Sequence, residues 1–378
     1  MKIITKLLLS FLGFCLLFLL LSWVYNYFYS KSLIIKPFNA KHSQSCKRIS
    51  LPDKEVVRIL IIDGGGINGI IPLSVLNYLE KKTGKPIASL FDFFSGTSTG
   101  SIIVSALNIP NAHGEPKFKT EEVIDDYVSV SKNVMTASWP RKIFTINGLF
   151  GPKFPVEDLN RLLKKQIGPD VVFHKLIKNV SITTYNLDDR TMRVLNNWEC
   201  LQPHAYYLIA DLLTATTATP SFYSPVILLD EERENSKTYI DGMVFANNPS
   251  LYALQEIFKF YPKAKKYIIV HLGTGEFTLN DFDLRGTITQ RWGLLRWLIP
   301  FTSIIYKSQN SEVKEAIHIL QKVSPKDRFE YYHLNINFTG GPFDTSEKNI
   351  KNMEIVANSL ILKEKNLLNY LANELSRD

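Results

Sequence analysis

Residues 56–79 read VVRILIIDGGGINGIIPLSVLNYL, and this stretch decides the fold. Its first seven residues form a β-branched apolar run of strand length. Glycines follow, and apolar residues then recur every three or four positions from Ile70 to Leu79, which is the spacing of one helical face. The stretch therefore predicts a strand, a glycine-rich turn and a helix in direct succession, as in the repeating unit of a parallel sheet.

A second unit of the same kind follows, with a short apolar strand at 90–94, a turn at 96–100 and the start of a buried helix at 102–107. Further strands are predicted at 179–185, 237–240 and 266–271, and amphipathic helices at 157–166, 249–260 and 347–376. Strands that alternate with helices predict an α/β fold, namely a three-layer α/β/α sandwich with a mainly parallel central sheet.

The composition is that of a globular protein, since 45% of the 378 residues are hydrophobic and 21% are charged. The net charge of +8 comes from scattered basic residues without a nucleic-acid-binding motif, so we expect no nucleic-acid partner. The three cysteines form no CxxC pair, and no His-rich cluster has zinc spacing. We therefore predict neither a metal nor another cofactor.

Residues 7–30 contain no charged side chain, and 7–24 are mostly Leu and Phe, close to the ~20 apolar residues of a membrane-spanning helix. Aromatic residues at 25–29 suit a membrane boundary. Lys2 and Lys6 also begin a secretory signal, but no small-x-small cleavage site follows. We predict an uncleaved single-pass membrane anchor over residues 1–30, with an export signal as the alternative. Lysines on both sides give no preferred orientation.

The rest of the chain divides into three predicted parts. Residues 31–55 carry Pro, Lys and Ser without periodicity and are predicted to be a linker. Residues 56–280 hold the strand and helix units and form the main domain. Residues 281–378 are predicted to be a largely helical extension packed on it, in which the Leu-rich run 294–299 is interpreted as core rather than as a lipid-facing lid.

The sequence Gly96-Thr97-Ser98-Thr99-Gly100 is a GxSxG motif placed where a predicted strand turns into a helix. A nucleophile on so tight a turn needs glycines on either side to avoid clashes. The amino terminus of the helix also places a partial positive charge near a developing anion. The motif therefore predicts Ser98 as a nucleophile.

The glycine block DGGGING at 63–69 lies between the first strand and its helix, where backbone N–H groups can converge on an anion. It fits the pattern of a dinucleotide site, which requires an acidic residue closing the second strand. Asp92 lies inside that predicted strand rather than at its end. We therefore interpret the block as an oxyanion hole serving Ser98, with the N–H groups of Gly65 and Gly66 as donors.

A serine nucleophile needs a base, and two residues are candidates. His271 ends an apolar strand and would complete a Ser-His-Asp triad, but α/β-hydrolases present several strands before their nucleophile and only one unit precedes Ser98. Asp241 ends another strand and is followed by Gly242, although Asp-Gly alone is also common in surface turns.

Three blocks, DGGGxxG at 63–69, GxSxG at 96–100 and Asp-Gly at 241–242, occur in the order found in the patatin-like phospholipase family, which the chain resembles. Further stretches are similar to plant and bacterial patatins, namely LFGPKF at 149–154, residues 215–220, NNP at 247–249 and HLGTG at 271–275. The resemblance covers roughly residues 57–280 and implies a patatin-like fold.

Carried over by position, the resemblance implies a dyad of Ser98 and Asp241 without histidine. It further implies an oxyanion hole formed by Gly64, Gly65 and Gly66, supported by Gly69, Gly96, Gly100 and Gly242. Met243 departs from the family, which usually has Gly or Ala there, so we expect an effect on rate and substrate rather than on the dyad.

The expected function is that of a serine lipid acyl hydrolase, or phospholipase A, that cleaves carboxylic esters of membrane glycerolipids through Ser98 and Asp241. Its expected partner is a membrane phospholipid or another glycerolipid. Two alternatives stay open, a Ser-His-Asp carboxylesterase that uses His271 and a catalytically silent, membrane-tethered binding protein with the same fold.

Overall fold

A computed structural model describes residues 2–38, 53–198, 203–229, 236–277, 294–338 and 340–377. Its strands are β1 (Leu33–Ile35), β2 (Val56–Ile62), β3 (Phe93–Thr97), β4 (Asn179–Asn186), β5 (Thr191–Asn196), β6 (Val226–Leu228), β7 (Lys237–Asp241), β8 (Lys266–Leu272), β9 (Glu276–Phe277), β10 (Phe329–Leu334) and β11 (Asn337–Phe338). Its helices are α1 (Lys2–Tyr29), α2 (Ile70–Thr83), α3 (Ile87–Leu90), α4 (Thr99–Ala106), α5 (Thr120–Val134), α6 (Trp139–Phe144), α7 (Val156–Ile167), α8 (Ile209–Thr216), α9 (Met243–Ala246), α10 (Ser250–Phe260), α11 (Leu294–Val323), α12 (Glu347–Lys363) and α13 (Lys365–Leu375).

The main sheet has the strand order β1-β6-β7-β4-β3-β2-β8-β10, and β5 pairs with β4 outside this path. The five strands β4, β3, β2, β8 and β10 are parallel to one another, whereas β5 and β7 run antiparallel to β4. The sheet is therefore mixed and mostly parallel.

Helices cover both faces of the sheet. Alternate side chains of a strand point to opposite faces, so a strand that is apolar throughout needs a core on each side. In the central strand β2, Val57, Ile59 and Ile61 enter a core shared with α10 and α11. Leu60 and Ile62 enter the larger core, which is shared with α2, α4, α5, α7, α8 and α12. The predicted three-layer α/β/α architecture is confirmed.

The strands predicted at 179–185, 237–240 and 266–271 and the helices predicted at 157–166 and 249–260 are present with nearly the same bounds. The helical stretch predicted at 347–376 forms two helices, α12 and α13, which are separated at Glu364. The strand predicted at 90–94 is shifted, since α3 ends at Leu90 and β3 begins at Phe93. Between them Asp92 accepts a hydrogen bond from the Arg58 N–H at 2.9 Å. Periodicity alone does not separate a short buried helix from a short buried strand.

Both flanking segments contribute to the sheet. Strand β1 lies in the segment predicted as a linker and pairs with β6. Strand β10 lies in the predicted extension and pairs with β8, while α12 packs on α2. The extension therefore completes the sheet instead of only covering it. The side chains of the run 294–299 lie outside the described residues, as do residues 39–52 of the linker.

Helix α1 contains a stretch, Thr5–Tyr29, with a mean hydropathy of 2.6 and only 6% of its most apolar window buried. Among the described residues it is the one helix long and apolar enough to cross a membrane. A signal sequence has the same length and composition, so this finding is compatible with both predicted roles.

The turn between β3 and α4 depends on close contact with the end of β2. A Cβ atom added to Gly100 would lie 2.1 Å from the Ile62 carbonyl oxygen, and one added to Gly96 would lie 2.3 Å from the Gly100 carbonyl carbon. Both distances are far below van der Waals contact. Glycine at these positions lets α4 start directly against the sheet.

We predict that Gly100→Ala lowers the free energy of unfolding by about 1–3 kcal/mol, because β2 and α4 must separate to admit the methyl group. The measurement is urea unfolding of the full chain in detergent. Gly341→Ala is the control, since its Cβ would come no closer than 3.4 Å to another atom. Equal midpoints for the two variants would show that the contact is not needed.

Candidate active site

The register of the sheet brings Ser98 and Asp241 together. Strands β3 and β7 pair with successive parts of the same edge of β4. Strand β3 runs parallel to β4 and its last pair is Thr97 with Thr183. Strand β7 runs antiparallel to β4 and its last residue, Asp241, pairs with Thr184. Strand β5 occupies the other edge of β4. The chain leaving β3 therefore meets the end of β7, and the first residue after β3 is Ser98.

Ser98 sits on the tight turn between β3 and α4, with φ 51° and ψ −118°. This is a rare backbone conformation for a residue with a side chain, and strain of this kind is typical of a nucleophile turn. The turn directs Oγ toward Asp241 Oδ2, to which it donates a hydrogen bond of 2.7 Å.

The carboxylate of Asp241 is fully buried and accepts three hydrogen bonds. Oδ2 accepts from Ser98 Oγ and from Thr219 Oγ1, both at 2.7 Å. Oδ1 accepts from the Met243 N–H at 2.9 Å. Met243 thus contributes to the site through its backbone, which is independent of side-chain size. Thr219 was not predicted as a site residue, although it lies in the stretch 215–220 that resembles patatins.

Burial raises the pKa of the Asp241 carboxyl from 3.8 to about 6, because a charged carboxylate loses its hydration there. The hydrogen bonds from Met243, Thr219 and Ser98 act in the opposite direction and limit the rise. The carboxylate is therefore a stronger base than an exposed one and is still mostly ionised at neutral pH.

The first peptide of the glycine loop is fixed by contacts from two distant segments. Gly64 O accepts hydrogen bonds from Thr274 Oγ1 at 2.6 Å and from Asn247 Nδ2 at 3.1 Å. In a planar trans peptide the C=O and the following N–H point in opposite directions, so fixing the Gly64 carbonyl also fixes the direction of the Gly65 N–H. The Gly64 N–H donates to Asn247 O at 3.0 Å and is thus engaged within the protein.

The next peptides are fixed in the same way. Gly65 O accepts from the Asn68 N–H at 3.1 Å, which sets the direction of the Gly66 N–H. Gly66 O accepts from Thr99 Oγ1 at 2.8 Å and from the Tyr127 hydroxyl. Gly66 also has φ +55°, a conformation that favours glycine. The loop is therefore held rigidly beside the nucleophile turn.

Asn247 and Thr274 are further functional residues that sequence reasoning did not single out. Both lie in stretches that resemble patatins, at 247–249 and 271–275, and both hold the glycine loop. For Thr274 the available signal was its place between two glycines. The contacts themselves join residues about 200 positions apart, so local patterns do not reveal them.

His271 does not contact Ser98. Its Nε2 is 2.6 Å from Asp63 Oδ1 and its Nδ1 is 2.5 Å from the Tyr331 hydroxyl, so both ring nitrogens are engaged. The ring is fully buried at the end of β8. The structure therefore places His271 beside Asp63, the first residue of the glycine loop, whose side chain it orients.

The ring of His333 stacks on that of His271 with centroids 4.3 Å apart and planes 10° apart. Together with Asp63, the two histidines offer ligand atoms within 4.8 Å of one another. One metal ion requires the in-plane lone pairs of both rings to converge. Parallel stacked rings direct these lone pairs along parallel planes, so the arrangement does not fit a shared metal.

A cavity of about 1010 Å³ opens beside Ser98 and extends between α4, α5 and α7. Apolar side chains dominate its wall, among them Val123, Val130, Leu159 and Leu163. Gly65, Gly66 and Thr219 also line it, so the glycine loop and Ser98 face the same space. A cavity of this size and character suits a long apolar ligand.

The fold and the site define the class of protein: an α/β protein in which a serine on a tight turn donates a hydrogen bond to a buried aspartate beside a large apolar cavity. A sequence model of the patatin-like phospholipase family matches residues 60–254, which is more than half of the chain. The chain belongs to this family of lipid-hydrolysing enzymes.

Plant relatives are similar over most of the chain. Patatin-like protein 2 of Oryza sativa subsp. indica is 28% identical over 358 residues, covering 83% of this chain and 86% of the relative. Patatin-like protein 2 of Arabidopsis thaliana is 30% identical over 274 residues, covering 64% and 65% of the two chains. The similarity therefore extends beyond the residues that the family model matches.

Among solved structures, human GIVD cytosolic phospholipase A2 is similar with a TM-score of 0.43 and 10% identity, covering 89% of this chain and 62% of that one. VipD from Legionella pneumophila has a TM-score of 0.37 and 14% identity, covering 85% and 73%. These overall similarities are low, so the family assignment rests on the sequence match.

We predict that Asp241→Asn stabilises the protein by up to about 3 kcal/mol at pH 8, because it removes a buried charge whose pKa is raised to about 6. In the wild type, the folded state is favoured when the Asp241 carboxyl is protonated. This contribution to the free energy of unfolding is fully present below pH ~4 and is lost as pH rises through about 6. The difference between the variants should therefore shrink toward pH 4.

Urea unfolding at pH 4 and pH 8 measures this difference. Asp170→Asn, at an exposed position, is the control and should leave both midpoints unchanged. A lower midpoint for Asp241→Asn than for the wild type at pH 8 would mean that the hydrogen bonds to the carboxylate outweigh its desolvation.

Proposed function

We propose that the protein is a serine lipid acyl hydrolase in which Ser98 is the nucleophile and Asp241 the general base. The observation that carries the proposal is the 2.7 Å hydrogen bond from Ser98 Oγ to a fully buried carboxylate, next to a large apolar cavity. Membership of the patatin-like phospholipase family supports it.

In the first half-reaction, Ser98 Oγ attacks the carbonyl carbon of an acyl ester while its proton passes to Asp241 Oδ2. The tetrahedral intermediate carries a negative oxygen, which accepts hydrogen bonds from the N–H groups of Gly65 and Gly66. Collapse of the intermediate breaks the ester C–O bond, and the leaving alcohol takes the proton from Asp241. The acyl group stays on Ser98.

In the second half-reaction, a water molecule attacks the acyl-serine and gives a proton to Asp241. The same N–H groups stabilise the second tetrahedral intermediate. Its collapse releases the fatty acid and returns the proton to Ser98 Oγ. Of the three glycines predicted for the oxyanion hole, Gly64 acts through its carbonyl, since its N–H is bonded to Asn247.

The proposed substrate is a membrane phospholipid or another glycerolipid. Its acyl chain fits the apolar cavity between α4, α5 and α7, with the ester carbonyl at Ser98. Helix α1 supports a position at a membrane, where such lipids reside. We propose that α1 is retained as a single-pass anchor.

A Ser-His-Asp esterase using His271 is disfavoured by the contacts of the imidazole, since Asp63 and Tyr331 engage both nitrogens. A silent binding protein would have no use for the strained conformation of Ser98, which costs about 1–3 kcal/mol.

We predict that Ser98→Ala and Asp241→Asn each lower fatty-acid release from phospholipid vesicles by about 10⁴–10⁶-fold, because residues of one catalytic unit lose similar amounts when removed singly. His271→Gln should lose far less activity than either of these variants, since His271 contacts Asp63 and not Ser98. The measurement is fatty-acid release by the full chain with a chelator present.

Circular dichroism is the control that each variant is folded. Loss of activity in His271→Gln with retention in Asp241→Asn would support the triad instead. A folded wild type that releases no fatty acid from any vesicle would support the binding protein.

We predict that kcat/KM falls as pH drops through about 6, because the base must be ionised to accept the proton. Thr219→Val removes a donor to the ionised carboxylate, so its acid limb should move upward by about one pH unit. Thr214→Val is the matched control, since Thr214 Oγ1 donates to Ala210 O instead. An unshifted limb in Thr219→Val would contradict the assigned base.

A further inference from the structure

The end of helix α1 is docked on α6 and the loop after it. Ser22 Oγ and Asn26 Nδ2 both donate hydrogen bonds to Phe144 O, and Ser22 is only 2% exposed. The Tyr25 ring stacks on the Phe144 ring with centroids 5.0 Å apart. A Cβ atom added to Gly151 would lie 1.8 Å from Asn26 Oδ1, so a larger residue there would displace the Asn26 side chain.

Arg141 adds a second connection. Its buried guanidinium donates to the carbonyl oxygen of Tyr29, the last residue of α1, at 3.2 Å, and to Pro152 O at 3.1 Å. The last two turns of α1 are thus fixed to the segment 141–152, while the earlier turns of the helix are exposed from Thr5 onward, apart from a few half-covered positions.

With α1 spanning the membrane as the proposed anchor, the docked turns lie at the level of a membrane boundary. A hydrocarbon core about 30 Å thick takes roughly 20 helical residues, and 20 residues counted from Thr5 end at Val24. Val24 lies between the two polar side chains, Ser22 and Asn26, that contact Phe144. The segment 141–152 is therefore held where the hydrocarbon core meets the headgroups.

The same segment forms part of the cavity mouth. We define the apolar rim as the side chains of Ile146, Leu149, Phe150, Val244 and Phe245, which are 40–70% exposed. Leu149 and Val244 line the cavity that holds Ser98, and the other members are their close neighbours in the chain. Exposed apolar side chains are normal singly, but grouped around a cavity mouth they mark an interaction surface.

We propose that the apolar rim is inserted in the leaflet from which α1 emerges, so that the cavity mouth opens into the membrane and not into water. The occupant of the rim is the lipid surface itself, because the membrane-spanning helix is docked within a few residues of it. The proposal rests on the proposed lipid hydrolysis and on the membrane position of α1.

This arrangement gives the lipid a direct path. An acyl chain passes from the leaflet between apolar rim side chains into an apolar cavity, so it crosses no water. The ester group of a glycerolipid lies near the boundary between the hydrocarbon core and the headgroups, which is the level of the rim. The docked helix thus sets the depth at which the ester reaches Ser98.

The deciding experiment measures the depth of a nitroxide label at position 150 in phosphatidylcholine vesicles. The full chain carries Ser98→Ala, which keeps the lipids intact, and alanine in place of Cys15, Cys46 and Cys200. Phe150→Cys is compared with Val323→Cys, an exposed position at the end of α11. Val323 precedes the amino end of β10, whereas Ser98 follows the carboxyl end of β3, which runs in the same direction.

The label at 150 should collide more with oxygen, which concentrates in hydrocarbon, than with a water-soluble nickel complex, and the label at 323 should show the reverse. Equal nickel accessibility at the two positions would overturn the proposal. The measurement needs no turnover, so its result is independent of whether the proposed hydrolysis is correct.

A paired activity assay tests the consequence. The double variant Ile146→Asp, Phe150→Asp should lose at least about tenfold in hydrolysis of vesicle phospholipid, since charged side chains do not enter hydrocarbon. It should keep its rate on a soluble short-chain ester, because neither residue lines the cavity. An unchanged vesicle rate, or an equal loss on both substrates, would contradict the role of the rim.

Discussion

Burial of a carboxylate among apolar side chains is costly unless donors meet its charge, and Asp241 is fully buried. Three donors meet it, from the nucleophile turn, from Thr219 and from the backbone of Met243. Because desolvation still outweighs these bonds, the pKa of the carboxyl stays raised at about 6. The same burial that costs stability therefore makes this carboxylate more basic than an exposed one, as the proposed role of Asp241 as a general base requires.

Local patterns predicted the parts of the fold that depend on local geometry. The two strand-glycine-helix units around 56–79 and 90–107 were predicted because period, turn chemistry and length all agree there. Edge strands such as β1 were missed, because three residues carry no periodicity and pairing with β6 is a tertiary event. Ser98 and Asp241 were predicted as a pair from motif order, and the structure brings them within hydrogen-bond distance.

The supporting residues were harder to find, since what they hold is distant in sequence. Thr274 contacts Gly64 across 210 positions, and His271 contacts Asp63 across 208. A histidine at the end of an apolar strand suits a catalytic triad as well as a buried structural network, and only the partners of its nitrogens distinguish the two. Here Asp63 and Tyr331 are those partners, so the imidazole belongs to a buried network at the start of the glycine loop.

The meeting of β3 and β7 on one edge of β4 has an evolutionary consequence. Ser98 and Asp241 are 143 positions apart, and the chain between them includes loops that can lengthen or shorten at little cost, because the sheet fixes both ends. A single-residue insertion within β7 is different in kind, since it would rotate every following side chain to the other face of the sheet. Relatives can therefore vary in the length of the loops between the strands. A shift of β7 by one residue, in contrast, would turn the Asp241 carboxylate away from Ser98.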